Sequence, residues 1–223
     1  MTRLLPLLVA GLLAACGSSA PPPDWQMNAR GAMDRALSAY LDGNTRVATV
    51  ELDRARSEVS RTGRADMLAR TELMQCAAQV ASLVTGPCER FEALRSQAAP
   101  AEAAYAGYLQ GQVNLAQAAL LPEAHRSVAQ ALATPGAADL APQVQALADP
   151  LARLVAAGAA FQAGRASPAL LALAVDTASA QGWRRALLAW LDLSAQAADK
   201  AGDTATAALA RQRIALVTRE GRP

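Results

Sequence analysis

Isoleucine occurs once in this chain, at Ile214, histidine once, at His125, and the aromatic residues Phe, Trp and Tyr make up only 4% of 223 residues. A sequence so short of these side chains has little of what favours strands. Alanine, the strongest helix former, fills roughly a quarter of it. An excess of one charge is also missing: 21 Lys+Arg against 19 Asp+Glu leave +2, which gives no electrostatic footprint for phosphates and argues against a nucleic-acid partner. Three cysteines exclude a disulfide-dense mini-protein, and a 52% hydrophobic content excludes intrinsic disorder. What remains is the expectation of an all-α protein.

Long hydrophobic runs are absent too. Arg3 is followed by Leu4-Leu5-Pro6-Leu7-Leu8-Val9-Ala10-Gly11-Leu12-Leu13, too short to cross a hydrocarbon core of about 30 Å but of the length of a signal-peptide core. It ends in Leu13-Ala14-Ala15-Cys16, a segment that resembles the lipobox of bacterial lipoproteins. The resemblance implies that the signal is cut before Cys16, whose thiol carries a diacylglyceryl group and whose new amine is acylated. An ordinary secretory signal cut at Ala-x-Ala, with Cys16 incidental, is the alternative. In the sorting pattern of such lipoproteins an Asp after the cysteine retains the protein at the inner membrane, so Gly17 implies the outer membrane and its periplasmic face. The chain then divides into a signal peptide (1–15), a lipidated Cys16 with a Ser/Pro-rich tether (16–26) and one helical, repeat-like domain (27–223).

Beyond the tether, apolar residues recur at helical spacing and break at Gly, Pro and Asp-Gly. The pattern predicts helices near 27–41, 44–62, 65–85, 100–110, 112–121, 122–133, 140–149, 150–163, 167–181, 183–201 and 203–219. An aromatic three residues before a Gly, an Ala five after it and a Leu nine after it recur as Tyr40/Gly43/Ala48/Leu52, Tyr108/Gly111/Ala116/Leu120 and Phe161/Gly164/Ala169/Leu173. Such a unit is a helical hairpin: the Gly turns, the Ala admits the second helix, and the aromatic and Leu fill the space between. The first copy resembles a tetratricopeptide unit, which implies an α-hairpin solenoid. The glycines are spaced by 68 and 53 residues, and only the first spacing is a multiple of that family's 34. An irregular helical array therefore stands beside the solenoid as an expectation.

Cys76 and Cys88 are the thiols left once Cys16 carries lipid. An even pair in an exported chain points to a disulfide, with Gly86-Pro87 turning residue 88 back onto the helix before it. A redox or metal pair is the weaker reading, since the spacing is not Cys-x-x-Cys and no His lies nearby. The helical neighbours of His125 are Leu121, Pro122, Val128 and Ala129, none of which ligates a metal or orients an imidazole, so it reads as a surface or cap residue. No catalytic motif appears, and no metal or cofactor is expected. Residues 44–95 alternate in charge, with helix-face pairs such as Glu58–Arg61 and Asp66–Arg70.

Residues 96–182 are poor in charge, a composition suited to a core or to the centre of an interface. Tyr105, Tyr108, Trp183 and Trp190 are the candidate aromatic anchors for a partner protein, with core packing as the other reading of each. The sequence thus leads to a non-enzymatic, outer-membrane lipoprotein acting as an adaptor in envelope assembly, secretion or cell-wall maintenance. Two alternatives are a small-ligand or glycan-acting protein with a carboxylate site between helices, and a purely structural envelope protein. A concave pocket gathering acids such as Glu102, Asp139, Asp149 and Asp176 distinguishes the first alternative.

Overall fold

Start and stop signals in the sequence set most of the helix ends. The computed structural model describes residues 21–136 and 139–219, so the signal segment and Cys16 lie outside the described residues. Within them the chain forms twelve α-helices and no strand. These are α1 (Asp24–Leu41), α2 (Thr45–Ser60), α3 (Ala65–Ala81), α4 (Glu89–Glu92), α5 (Pro100–Leu109), α6 (Leu115–Ala118), α7 (Glu123–Ala133), α8 (Ala141–Gln145), α9 (Pro150–Gln162), α10 (Pro168–Gln181), α11 (Arg184–Ala201) and α12 (Thr204–Arg219). Asn44 caps α2 by accepting from Val47 N at 3.1 Å, and Ser167 Oγ caps α10 by accepting from Leu170 N at 3.1 Å. Asn114 and Gln117 form a reciprocal capping box on α6. Each such cap contributes about 1 kcal/mol to holding its helix end.

Some boundaries differ from the periodicity. α1 starts at Asp24, inside the stretch read as tether, because Pro23 sits at its N-cap in an extended conformation and Asp24 meets the positive end of the helix dipole. α3 ends at Ala81, before the Gly86-Pro87 signal: Leu83 adopts φ +59°, and Val84 N closes back on Gln79 O at 2.9 Å. Only Leu115–Ala118 of the expected 112–121 helix forms, while α4 and a 3-10 turn at Arg95–Gln97 fill a stretch without helical periodicity.

The core gathers around α3 and α9. A Cβ on Gly158 of α9 would lie 2.3 Å from Val80 O, so the close crossing of these helices requires glycine there. Trp190 on α11 is fully buried, and its Nε1 donates to Ala81 O at 2.9 Å, satisfying a carbonyl left open at the end of α3. Arg185, also on α11, donates to Tyr40 O at 2.6 Å and lies 4.4 Å over the Tyr40 ring, joining the last third of the chain to the first hairpin. Gln162 Nε2 donates to Leu109 O at 2.6 Å and ties α9 to α5.

The three repeat glycines share the turn geometry expected of them, with φ of +90°, +70° and +70° at Gly43, Gly111 and Gly164. Packing does not repeat with the turns. Ala48 and Leu52 are buried, whereas Ala116 and Ala169 are exposed and Leu120 keeps 46% of its surface open. In a solenoid each unit touches only its chain neighbours. Here α3 packs on α9, and α11 reaches both α3 and the α1–α2 turn.

Cys76 and Cys88 form a disulfide across 12 residues, with Cα atoms 5.7 Å apart. Both cysteines are buried. Alkylation of the denatured, unreduced chain is expected to label neither; full labelling of both contradicts the bridge.

Candidate functional site

Helical register brings side chains from five helices, α1, α3, α5, α7 and α9, to one cleft of about 590 Å³. Arg70, Leu73, Met74 and Ala77 stand at i, i+3, i+4 and i+7 on one face of α3. Ala101 and Tyr105 of α5 share a face in the same way, with Glu102 beside them, and Leu151 and Val155 do so on α9. His125 and Arg126 enter from α7, and Asp149 from the N-cap of α9. The walls are mainly aliphatic and the polar groups few, the usual make-up of a ligand pocket.

Glu102 is the most enclosed of the cleft's charged groups, with 9% of its surface open. Arg70 Nε donates to its Oε1 at 2.5 Å, while Oε2 is shut off from solvent and has no hydrogen-bond partner. The sequence pairs Arg70 with Asp66, one helical turn away. Instead Asp66 binds Arg64, and Arg70 spans to α5. Glu58–Arg61 forms as expected. Asp149 accepts from Leu151 N at 3.0 Å through Oδ1 and makes no ion pair with an arginine or lysine among the described residues.

His125 corrects the sequence reading. It is not a surface or cap residue but is buried, with 6% of its surface open, and its ring stands among Tyr105 and Tyr108 with centroids 5.6 and 5.2 Å away. Tyr108 Oη lies 3.2 Å from His125 Nδ1. Tyr108 is fully buried and this is its hydrogen bond, so its O–H proton has an acceptor only if Nδ1 is unprotonated. The imidazole is then the neutral Nε2–H tautomer. Burial agrees: it pushes the His125 pKa down to about 4, with nearby Asp149 pulling weakly the other way. Burial likewise raises the phenols of Tyr105 and Tyr108. At neutral pH the three rings are uncharged, and His125 Nε2–H makes no hydrogen bond among the described residues.

The candidate anchors separate. Tyr108 and Trp190 are wholly internal and present nothing to a partner. Tyr105 is half-buried on the cleft wall, and Trp183 is half-buried before α11, packed on the core. Of the four acids, Glu102 and Asp149 both line the cleft. Asp139 instead accepts from Ala141 N at 3.0 Å and from Ser167 Oγ at 2.7 Å, and Asp176 lines a separate groove against α11 and α12. Cys16 lies outside the described residues. Local register could not reveal the role of His125, because its ring partners arrive from α5. The signal was its apolar flank, which marks burial as well as the lack of ligands.

Among the described residues no three His, Cys, Asp or Glu converge to hold a metal, and no helix is long and apolar enough to cross a membrane. Compared with protein families, with curated proteins and with solved structures, the chain finds no match.

Proposed function

We propose that this chain is an outer-membrane lipoprotein, anchored through Cys16 and facing the periplasm, whose helical domain holds a small molecule in the cleft between α3, α5, α7 and α9 without converting it. The anchor rests on residues 1–16 of the sequence; two or three acyl chains, at about 0.8 kcal/mol per buried methylene, suffice to hold a protein on a bilayer. One observation carries the ligand reading: a largely apolar cleft of about 590 Å³ collects Glu102, His125 and Asp149 from three separate elements. Glu102 and Asp149 are two of the four acids by which the sequence distinguishes the carboxylate-site alternative.

The test uses N-phenyl-1-naphthylamine, a neutral apolar dye that brightens when it leaves water. The full chain carrying Cys16→Ala, which stays free of lipid, is expected to bind the dye saturably at one site. Ala101 is exposed on the cleft wall, so Ala101→Trp crowds the cleft without disturbing the core and should weaken binding at least about tenfold, the scale of one lost apolar contact surface. Equal binding by both forms would place the dye elsewhere and overturn the reading.

A second reading, the protein-binding adaptor in envelope assembly, secretion or cell-wall maintenance, has its own support at the C-terminal end. There α12 packs on α11 and leaves Leu209 and Leu216 58% and 62% exposed, beside an apolar groove formed with α10. The support is the groove together with Leu209 on its wall, since contiguous apolar surface, unlike single exposed leucines, marks interaction sites.

A further inference from the structure

Taking the cleft as a ligand site, as proposed above, we infer that its occupant carries a protonated amine on an apolar body, and that the carboxylates of Glu102 and Asp149 receive the amine. The buried polar atom of the cleft that lacks a partner is an acceptor. Glu102, nine-tenths buried, has an oxygen with no donor. A buried carboxylate oxygen left without a donor is costly, and structures retain such a group where something supplies the donor. Asp149 spends one oxygen on the backbone of α9 and has no arginine or lysine partner among the described residues.

Each arginine of the cleft already gives its Nε–H to an acceptor of the protein. Arg70 binds Glu102 Oε1, and Arg126 Nε donates to Leu121 O at 2.8 Å. Both arginines belong to exposed residues, whereas Glu102 lies deeper. An ammonium finds the exposed Asp149 carboxylate on the cleft lining and, once the Glu102 carboxylate turns, the Glu102 oxygen that is closed to solvent and has no donor in this structure. The final torsion of a glutamate side chain is broad, so the Glu102 carboxylate can turn and share its two oxygens between Arg70 and a ligand.

The remaining walls suit the rest of such a molecule. Leu73, Leu151 and Val155 offer aliphatic surface, and Tyr105 an aromatic face to an alkyl or ring body. His125 is neutral and does not repel a cation; its Nε2–H is a donor for an acceptor elsewhere on the ligand. A neutral alcohol meets the same acceptors without the attraction between opposite charges that an ammonium adds to its hydrogen bond.

Displacement of the bound dye from the full Cys16→Ala chain tests this with three probes of one length: octylamine, 1-octanol and octanoate. Octylamine is expected to compete at least about tenfold more strongly than 1-octanol, and octanoate more weakly than either. Glu102→Gln should bring octylamine down to within about twofold of the alcohol while leaving the alcohol unchanged. Asp149→Asn changes an exposed side chain and keeps the cap oxygen of α9, so it should weaken octylamine about threefold or more relative to the alcohol, whether or not the Glu102 variant folds. If the dye binds but 1-octanol competes as well as octylamine, or Asp149→Asn leaves octylamine unchanged relative to the alcohol, the amine assignment is wrong and the cleft remains a ligand site. If the dye does not bind at all, the ligand site itself is wrong.

Discussion

Replacing Trp190 by alanine is expected to cost about 3–5 kcal/mol of stability, the range for emptying a fully buried large aromatic. For a chain of this size that lowers the melting temperature by about 6–20 °C. Trp190 has no exposed surface, and its indole N–H holds the Ala81 carbonyl at the end of α3. The substitution therefore leaves both a cavity and an open carbonyl where α11 meets the helix at the centre of the core. Trp190→Phe separates these effects. It keeps most of the packing and loses the hydrogen bond, so it should cost about 1–2 kcal/mol. Thermal denaturation of the three proteins should rank them wild type, Phe, Ala. A Trp190→Ala protein that melts within about 3 °C of wild type would falsify the placement of this side chain.

The second large effect is a loss of stability in mild acid. The folded chain holds His125 with a pKa of about 4, below its ordinary 6.5, while the unfolded chain protonates at the ordinary value. Above pH 6.5 neither state takes the proton and no penalty arises. As the pH falls from there to about 4 the unfolded chain alone gains it, and stability drops by about 3 kcal/mol in all, about 2 of it between pH 7 and pH 5. Structurally, a proton on Nδ1 removes the acceptor of the buried Tyr108 hydroxyl. The depressed carboxylates, Glu51, Asp66, Glu92, Asp139 and Asp203, belong to a lower window, since their unfolded values are 3.8 or 4.5. His125→Asn retains an acceptor for Tyr108 without a titrating ring, so urea unfolding of this variant should be level between pH 7 and pH 5. A wild-type chain with the same flat profile contradicts the neutral, buried imidazole.

Local chemistry was largely readable from the sequence. The turn at Gly43 and the pairing of Cys76 with Cys88 each depend on residues within a dozen positions of one another, and the structure has them as the spacing predicts. The helix at 89–92 was not readable because a single turn has no periodicity to detect. Nor was the true end of α3, where a leucine takes the left-handed conformation that glycine usually fills.

The cleft was legible only as a list of candidates. Glu102 and Asp149 stand 47 residues apart in sequence, and nothing in either helix's register says that α5 and α9 pack and bring them to one space. Arg70 shows the same limit: its partner one turn away along the helix loses to a carboxylate 32 residues on, because tertiary packing sets α5 against that face of α3. Aromatic residues at helical spacing likewise look alike in sequence whether they end in the core, as Tyr108 and Trp190 do, or on a cleft wall, as Tyr105 does.

Native mass spectrometry addresses the ligand-holding role most directly, on the Cys16→Ala chain exported to the periplasm and recovered without organic solvent. The expected spectrum has a fraction of the protein carrying one bound molecule of a few hundred daltons, the size such a cleft accommodates, and Ala101→Trp lacks that species. Bare protein in both samples, or the same adduct in both, contradicts a ligand held between α3, α5, α7 and α9.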